Sequence, residues 1–396
     1  MTSRTDPQAR LCVVCGQTAL KVFWEADNLP VRCNVLCKTR EEALAAPKGD
    51  ITLAVCFTCG FVTNLAFDPA RMSYDQRYEN SLHHSRRFQS YATALAKRLV
   101  DMYDLHNKDI LEIACGQGDF LRLLCDLGSN RGLGFDPSYR PVESDGSHHD
   151  GARFVRDCYG EKHGDVPADL VCCRHALEHI PDPVAFLSTV RKSLGDDSDA
   201  VVFFEVPDVM YTLRDLGIWD IIYEHCCYFS EVSLARCFAR AGFSVHAVSS
   251  EYGGQFLTIE SRRAEGREDG TTRGDLAGLL KATETFAFRF REKFDLWAGR
   301  LSDAKQQGRR LALWGSGSKG VTFLNMMPDV SAVACVVDIN PRKQGMFVAG
   351  VGKPIVAPEA LREVAPDTVI VMNALYLDEI GGTLAELGVD VKLDVA

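Results

Sequence analysis

The chain has 396 residues, and its 54 acidic side chains outnumber its 44 basic ones, giving a net charge of −10. This length predicts two or three domains, and an apolar fraction of 46% is ordinary for a globular enzyme. The acidic balance disfavours a nucleic-acid binder, because neutralising phosphates needs a basic excess. The sequence has no apolar run of about 18 residues, so we expect no membrane span. Its first ten residues lack the apolar segment of a secretory signal.

The 15 cysteines are the unusual feature of the composition. In a small secreted protein this number would indicate disulfides. Here the number is odd, the chain is long and no export signal is expected. We therefore expect a cytoplasmic protein in which some thiols bind a metal and the rest are buried.

Residues 1–85 are rich in cysteine and predict a small lobe that binds zinc and contacts substrate. Two C-x-x-C-G knuckles lie in it, and their spacing lets both thiolates of each knuckle face one ion. Cys33 and Cys37 are alternative ligands, although we favour ordinary buried thiols for them. A thioredoxin-like role is disfavoured, because neither knuckle opens a helix after a strand. With no ligand position left open, the ion is expected to be structural Zn²⁺ on Cys12, Cys15, Cys56 and Cys59.

Residues 86–265 alternate helical and strand patterns, which predicts a parallel sheet with helices on both faces. A predicted helix at 86–103 precedes a strand at 109–113 and the turn A-C-G-Q-G-D. Strand and turn read E-I-x-C-G-x-G, which resembles the first motif of class I S-adenosylmethionine (SAM) methyltransferases. The glycines let the backbone approach a cofactor at the carboxyl end of the strand. Leu121 breaks the dinucleotide fingerprint, so that alternative is disfavoured.

Acidic residues on the neighbouring strand ends complete the predicted cofactor site. Asp136 ends the next strand and is placed to accept both ribose hydroxyls. Asp157 matches the acid that often contacts adenine in this superfamily, and Glu112 is expected to orient the loop or meet the amino group of the methionine. The predicted SAM site comprises Glu112, Ala114, Cys115, Gly116, Gln117, Gly118, Asp136, Asp157 and His175.

Further strands are predicted at 169–173 and 201–206. The segment after the first of them reads L-E-H-I-P-D-P, which is similar to the LEHxxDP segment of the same superfamily. That similarity implies that His179 lies near the transferred methyl group. A structural histidine on the turn is the alternative.

The densest group of acid–base side chains lies at 222–230, where Tyr223, Glu224 and His225 follow one another. A turn or an alternating strand would aim only some of them at one site. With the segment at 74–79, Y-D-Q-R-Y-E, this is the strongest catalytic cluster in the sequence.

Residues 266–308 predict a linker and a long helix, the charged stretch at 262–273 being a surface loop. Five aromatic residues of the helix are expected to pack in the core or between domains: Phe286, Phe288, Phe290, Phe294 and Trp297. Residues 309–396 then predict a second, smaller α/β unit. Its first strand leads into G-S-G-S-K-G at 315–320, where backbone amides and Lys319 would form an anion site, unless the turn only packs the domains together.

Together these features resemble the three-domain sugar C-methyltransferases, which modify nucleotide-linked keto-deoxysugars. The resemblance extends to C-terminal segments at 315–320, 337–345, 354–359 and 373–376. It implies an α/β fold, with a doubly wound class I methyltransferase sheet between the zinc lobe and a C-terminal Rossmann-like domain. Two segments depart from the family. This chain has A-C-G-Q-G-D where G-C-N-D-G is more usual, and H-C-C-Y-F where H-F-Y-Y-F is commoner. The second departure is expected to reshape the acceptor pocket.

The resemblance implies methyl transfer from SAM to a carbon next to a ketone, which requires a base and a group that stabilises the enolate. By analogy His225 is the base, with a structural histidine as the alternative. Tyr223 and Glu224 would orient His225 or tune its pKa. Tyr78 and His179 would hydrogen-bond the sugar or help to bear the enolate charge.

Tyr78 fits the family position better than Tyr74, for which packing alone is the alternative. The expected partner is a small molecule, a nucleotide sugar, and the protein is expected to be a monomer or homodimer. Two rivals remain open: an O- or N-methyltransferase of another metabolite, and a non-catalytic binding protein on the same scaffold.

Overall fold

A computed structural model describes residues 10–140, 151–164, 166–195, 198–264 and 274–396. The N-terminal residues 1–9 and the predicted linker residues 265–273 lie outside the described residues. Over the part that is described, the chain forms three sheets. No helix in that part is both long and apolar enough to cross a membrane.

The N-terminal lobe is built on a four-stranded antiparallel sheet with the order β1-β2-β3-β9. Its strands are β1 (Leu20–Pro30), β2 (Lys48–Cys56), β3 (Val62–Asn64) and β9 (Cys227–Tyr228), and helix α1 spans Arg40–Leu44. The last strand comes from the segment that carries the predicted base, and it pairs Tyr228 with Val62. The lobe sheet therefore holds that segment in place.

The middle domain is a seven-stranded sheet with the order β10-β11-β8-β7-β4-β5-β6. Strand β11 is antiparallel to both of its neighbours, β8 and β10, and all other neighbouring strands are parallel. The strands are β4 (Asp109–Ile113), β5 (Arg131–Phe135), β6 (Ala152–Val155), β7 (Leu170–Arg174), β8 (Val201–Pro207), β10 (Phe243–Glu251) and β11 (Phe256–Arg263). The helices are α2 (Arg86–Tyr103), α3 (Asp119–Gly128), α4 (Pro183–Ser193), α5 (Val209–Leu213) and α6 (Glu231–Arg240). The predicted doubly wound α/β sheet is confirmed.

The C-terminal domain is a five-stranded parallel sheet with the order β14-β13-β12-β15-β16. Its strands are β12 (Leu311–Trp314), β13 (Val333–Val337), β14 (Ile355–Val356), β15 (Thr368–Val371) and β16 (Lys392–Val395). Its helices are α8 (Ser318–Met326), α9 (Leu361–Val364) and α10 (Leu377–Glu386).

The long helix α7 (Leu276–Gln306) joins the N-terminal lobe to the C-terminal domain. Near its start, the ring of Phe286 lies 6.2 Å from that of Trp24 in the lobe. Near its end, Trp297 lies 5.4 Å from Phe323 of α8. All five aromatic residues of the helix were expected to pack, but Phe288 is 69% exposed. It lies two positions after the buried Phe286, and residues two apart do not share a helix face.

Candidate active site

A cavity of about 710 Å³ lies between the middle and C-terminal domains, at the carboxyl ends of parallel strands from both sheets. One wall is formed by the ends of β4, β5 and β7, and the opposite wall by the ends of β12, β13 and β15. The stretch from 78 to 85 contributes a third side. Ligands of open α/β sheets bind at such strand ends, and here two of these edges share one space.

The loop after β4 has the geometry of a close cofactor contact. Gly116 takes a positive φ of 57°, and a Cβ added there would meet nothing within 4 Å, so its face is open to the cavity. Gly118 also has a positive φ, of 82°, but a Cβ there would lie 2.2 Å from the ring of Phe154. Gly116 therefore leaves room for a ligand, whereas Gly118 makes room for packing.

Asp136, at the end of β5, ties the loop to the neighbouring strand. Its Oδ2 accepts a hydrogen bond from the Gly116 amide at 2.9 Å, and its Oδ1 accepts from the Ser138 amide at 2.7 Å. Asp157, after β6, also lines the cavity, and its Oδ2 lies 2.5 Å from Lys162 Nζ. The hydrogen bond from Lys162 lowers the pKa of Asp157, which is therefore a carboxylate at neutral pH.

Glu112 lies buried on the cavity wall at the end of β4. Its Oε2 is buried and has no hydrogen-bond partner among the described residues. Burial raises the pKa of Glu112 to about 8. A buried acceptor of this kind is costly until a donor reaches it, so Glu112 is ready for a cationic donor from a ligand.

A second buried charge network adjoins Glu112 at the end of β7. Arg174 Nη2 donates to Glu205 Oε1 at 2.8 Å, and His175 Nε2 lies 2.7 Å from the same oxygen. The hydroxyl of Tyr91 also donates to this carboxylate. Although burial opposes it, the charges of Arg174 and His175 lower the pKa of Glu205 to about 2. His175 itself takes a left-handed conformation, with φ 54°, at the cavity edge, and its amide donates to the backbone oxygen of Glu205 at 2.8 Å.

His179 and His225 lie together in the cavity wall, with ring centroids 4.9 Å apart. The hydroxyl of Tyr74 lies 3.0 Å from His179 Nδ1, and the backbone oxygen of Glu224 lies 3.1 Å from the same nitrogen. Burial lowers the pKa of His179 to about 4, and burial also lowers the pKa of His225. Both imidazoles are therefore neutral at pH 7.

The Glu224 side chain points away from His225 and serves Tyr78 instead. The Tyr78 hydroxyl donates to Glu224 Oε2 at 2.9 Å, and the Cys33 amide donates to Oε1. Burial raises the pKa of Glu224. Glu224 was predicted to orient His225 or tune its pKa. Its hydrogen bonds instead hold Tyr78 and Cys33.

Tyr223 does not reach the cavity. Its hydroxyl accepts a hydrogen bond from the Asp68 amide at 3.0 Å, and its ring lies 5.6 Å from that of Phe67. The residue is fully buried in the core. Tyr74, for which packing alone was an alternative, instead lines the cavity and contacts His179.

Glu178 is a site residue that the sequence reasoning passed over. It lines the cavity, and its Oε2 is buried without a hydrogen-bond partner in the described part of the chain. A carboxylate oxygen of Glu178 and one ring nitrogen each of His179 and His225 lie within 4.8 Å of one another. Glu178 belongs to the L-E-H segment, in which only His179 was predicted to have a role.

The loop at 315–320 mirrors the loop after β4. The Ser316 amide donates to Asp338 Oδ2 at 3.0 Å, and the Asn340 amide donates to Oδ1 at 2.9 Å. Lys319 Nζ lies 2.8 Å from Asp220 Oδ2 and donates to Gln255 at 3.1 Å, both in the middle domain. Lys319 therefore joins the domains, and it also lines the cavity with every other residue of the loop except Ser316.

The four predicted zinc ligands converge in the N-terminal lobe. The Sγ atoms of Cys12 and Cys59 are 3.5 Å apart, as are those of Cys15 and Cys56, and all four lie within 4.8 Å of one another. Four thiolates at about 2.3 Å from a tetrahedral Zn²⁺ stand a little under 4 Å apart, so the residues fit the ion. Cys33 and Cys37 lie outside this cluster.

Comparison with known proteins agrees with this architecture. Residues 82–248 match the family model of a methyltransferase domain, and residues 278–389 match that of a C-methyltransferase C-terminal domain. C-methyltransferase NovU of Streptomyces niveus is 25% identical, over 93% of this chain and 90% of NovU. The chain is a SAM-dependent methyltransferase, and its C-terminal part is similar to that of C-methyltransferases.

Solved structures similar to parts of this methyltransferase include two from other bacteria. A SAM-dependent methyltransferase of Mesorhizobium loti is 17% identical, with 44% of this chain and 99% of that chain covered and a TM-score of 0.36. The 1,6-didemethyltoxoflavin-N1-methyltransferase of Burkholderia thailandensis is 16% identical, with 52% and 96% covered and a TM-score of 0.37.

The cavity of this methyltransferase fits SAM at the middle-domain wall. The partnerless oxygen of Glu112 suits an ammonium group, and the open face of Gly116 leaves space for a ligand beside it. All of the predicted SAM-site residues except Gly118 line the cavity. Of the predicted catalytic residues, Tyr78, His179 and His225 line it, whereas Tyr223 and Glu224 do not.

Proposed function

We propose that this methyltransferase methylates the carbon next to the ketone of a nucleotide-linked sugar, through an enolate that His225 forms. The observation that carries the proposal is the position of His225. Its ring borders the cavity that the cofactor loop also lines, beside His179 and opposite the C-terminal loop.

The α-carbon of a ketone becomes nucleophilic only after it loses a proton. A neutral imidazole has a lone pair for that proton, and the lowered pKa of His225 keeps it neutral. In the proposed step, the C–H bond breaks, an N–H bond forms on His225, and the electron pair moves to the ketone oxygen. Bound SAM would supply the methyl group: the new C–C bond would form at the α-carbon as the S–CH₃ bond breaks, with the ketone re-formed and S-adenosylhomocysteine released.

SAM would be held by the groups that adjoin the β4 loop. Glu112 would take the ammonium group of the methionine, since its Oε2 has no other hydrogen-bond partner in the described residues. Asp136 accepts from two amides and, at 2.6 Å, from the Ser138 hydroxyl. It retains a free lone pair, with which it would accept from the ribose.

The enolate oxygen needs a donor, and the Tyr74 hydroxyl is the proposed one. The backbone oxygen of Glu224 can only accept, so the proton of the neutral His179 ring lies on Nδ1. Tyr74, 3.0 Å from the same nitrogen, therefore keeps its own proton for the oxygen. Tyr78 gives its own proton to Glu224. Its phenolic oxygen can therefore accept a hydrogen bond from a sugar hydroxyl.

The nucleotide would bind at the wall formed by the C-terminal domain. Gly317 and Ser318 at the start of α8 line the cavity, and helix starts favour phosphate. Lys343 is only 6% exposed and also lines the cavity, with Nζ 3.9 Å from Asp338 Oδ2. A buried cation at an open cavity supports an anionic ligand despite the net charge of −10.

The alternative is an O- or N-methyltransferase of another metabolite, and product analysis separates the two. The enzyme is incubated with nucleotide-linked keto-deoxysugars and SAM labelled with ¹³C in its methyl group. The proposal expects a product in which the labelled carbon couples to a sugar carbon in the NMR spectrum. A labelled methyl group on oxygen or nitrogen would overturn it.

A further inference from the structure

The proposed base has no carboxylate partner where one was expected. Glu224, its neighbour in sequence, is engaged by Tyr78 and Cys33. His225 is half-buried at the cavity wall. Burial disfavours its protonation, and so do the positive charges near it, those of His179 and His175 when they are protonated and that of Lys319. An imidazolium formed there would be a partly buried charge without a counter-ion, which is costly.

Glu178 is the carboxylate in position to remove that cost. It precedes His179 in the turn after β7, and one of its oxygens lies within 4.8 Å of a ring nitrogen of His225. Its Oε2 has no hydrogen-bond partner among the described residues, and its Oε1 lies 4.0 Å from His179 Nε2. The nearby Asp220 is paired with Lys319, at 2.8 Å, and so is not available in the same way.

Three hydrogen bonds fix the Glu178 turn against the His225 segment. The Cys226 thiol donates to the backbone oxygen of Glu178 at 3.5 Å, and the Cys227 thiol donates to that of Ile180 at 3.2 Å. His179 Nδ1 lies 3.1 Å from the backbone oxygen of Glu224. The paired cysteines, which depart from the family sequence, thus set the approach of Glu178 to His225.

We propose that Glu178 is the positioning residue of the base: its carboxylate accepts the N–H of His225 on one side while the other ring nitrogen takes the α-proton. The inference rests on the proposed function. The balance is one C–H bond broken, one N–H bond formed on His225, and an electron pair moved to the ketone oxygen. The carboxylate stays ionised and pairs with the imidazolium, as in other His–carboxylate pairs.

This role requires Glu178 in its ionised form. Burial raises the pKa of Glu178 to about 8. As the pH rises through that value, the Glu178 carboxyl ionises and becomes able to pair with His225. Ionisation of a carboxyl beside the ring changes the hydrogen bonding and tautomer balance of the imidazole, which ring resonances report.

The test is an NMR titration of zinc-replete protein with isotope-labelled histidine, with no SAM or acceptor present. His225→Gln assigns the His225 ring resonance. Wild-type protein should give an inflection near pH 8 in that resonance, and Glu178→Gln should remove it. Glu112→Gln is the matched control, because Glu112 is also buried with a raised pKa but lies at the cofactor wall; it should leave the inflection in place.

An inflection that survives in Glu178→Gln, or one that is absent from wild type, would overturn the proposal. Retained affinity for SAM verifies that Glu178→Gln is folded. If it does not fold, Glu178→Asp is used instead, and it should keep an inflection. With an accepted keto-sugar, Glu178→Gln should also slow α-proton exchange about 10-fold or more and remove its rise towards pH 8. If His225→Gln retained exchange, the proposed base would be wrong, while the titration would still decide the pairing.

Discussion

The hydroxyl of Tyr78 donates to the Glu224 carboxylate at 2.9 Å, which turns this acid away from the histidine that follows it in the sequence. The contact joins the N-terminal lobe to the acceptor side of the cavity. Tyr78→Phe would leave a buried acceptor with one partner fewer, so we expect a loss of about 1–3 kcal/mol in the free energy of unfolding. Denaturant unfolding measures it, and an unchanged midpoint and slope would contradict the contact.

Tyr223 gives a contrasting prediction, because its hydroxyl accepts from Asp68 in the core rather than facing the cavity. Tyr223→Phe should lower the free energy of unfolding by about 1 kcal/mol. Its kcat should stay within about two-fold of wild type, since no reacting group contacts it. A loss of turnover comparable with that of His225→Gln would restore Tyr223 to the catalytic group.

Both tyrosines were predicted to lie in the active site, but only Tyr78 lines the cavity. Strands, the glycine loop and the cysteine knuckles depend on local spacing, and the sheets of the middle and C-terminal domains follow the predicted alternation. The directions of Tyr223 and Glu224 depend on contacts with Asp68, Cys33 and Tyr78, more than 140 positions away. The segment is irregular there, so no periodicity predicts which side chain faces the cavity.

Glu178 was missed for a related reason. The residue beside it, His179, carries the motif's apparent chemistry, and the partnerless oxygen of Glu178 is visible only once the turn is packed against His225. The network of Arg174 with Glu205 likewise required the parallel pairing of β7 with β8.

Glu112→Gln should affect stability and cofactor affinity in opposite directions. The folded-state pKa of about 8 lies above the ordinary value of 4.5, so the stabilisation from the protonated carboxyl is full below pH 4.5 and lost as the pH rises to 8. Relative to the variant, wild-type protein should lose about 1.4 kcal/mol per pH unit over that interval. Unfolding curves at pH 5 and pH 8 measure this difference.

The same substitution should weaken SAM binding, because Gln cannot pair with an ammonium group as a carboxylate does. Calorimetry at pH 8 should give at least about a 10-fold higher Kd. Equal stability differences at both pH values, together with unchanged SAM affinity, would contradict the assignment of Glu112.

The cysteine cluster should hold about one Zn²⁺ per chain, and Cys59→Ser should release it, because the thiolates are the ligands. Cys158→Ser is the matched control, since Cys158 is exposed and outside the cluster. It should retain the ion in metal analysis. A zinc content that is unaffected by Cys59→Ser would contradict the site.

Loss of zinc should also impair the acceptor chemistry, because β9 of the lobe sheet directly follows His225. SAM affinity should change less, since the cofactor wall belongs to the middle domain. Comparing turnover with SAM binding in Cys59→Ser checks this, and equal losses in both would contradict it.

Lys343→Met should weaken binding of the nucleotide part of the acceptor. Removing a buried cation from the cavity wall should raise the KM for a nucleotide-linked sugar about 10-fold or more, with SAM affinity unchanged. A KM equal to that of wild type would exclude Lys343 from phosphate binding.

Enolate formation by His225 is the central claim, and isotope exchange in D₂O tests it most directly. Nucleotide-linked keto-deoxysugars are incubated with the enzyme and S-adenosylhomocysteine, so that proton removal is observed without methyl transfer. The account predicts that wild-type enzyme replaces the α-proton by deuterium and that His225→Gln does so at least about 100-fold more slowly, with SAM affinity retained. Methylation of such a sugar without α-proton exchange, or undiminished exchange in His225→Gln, would contradict it.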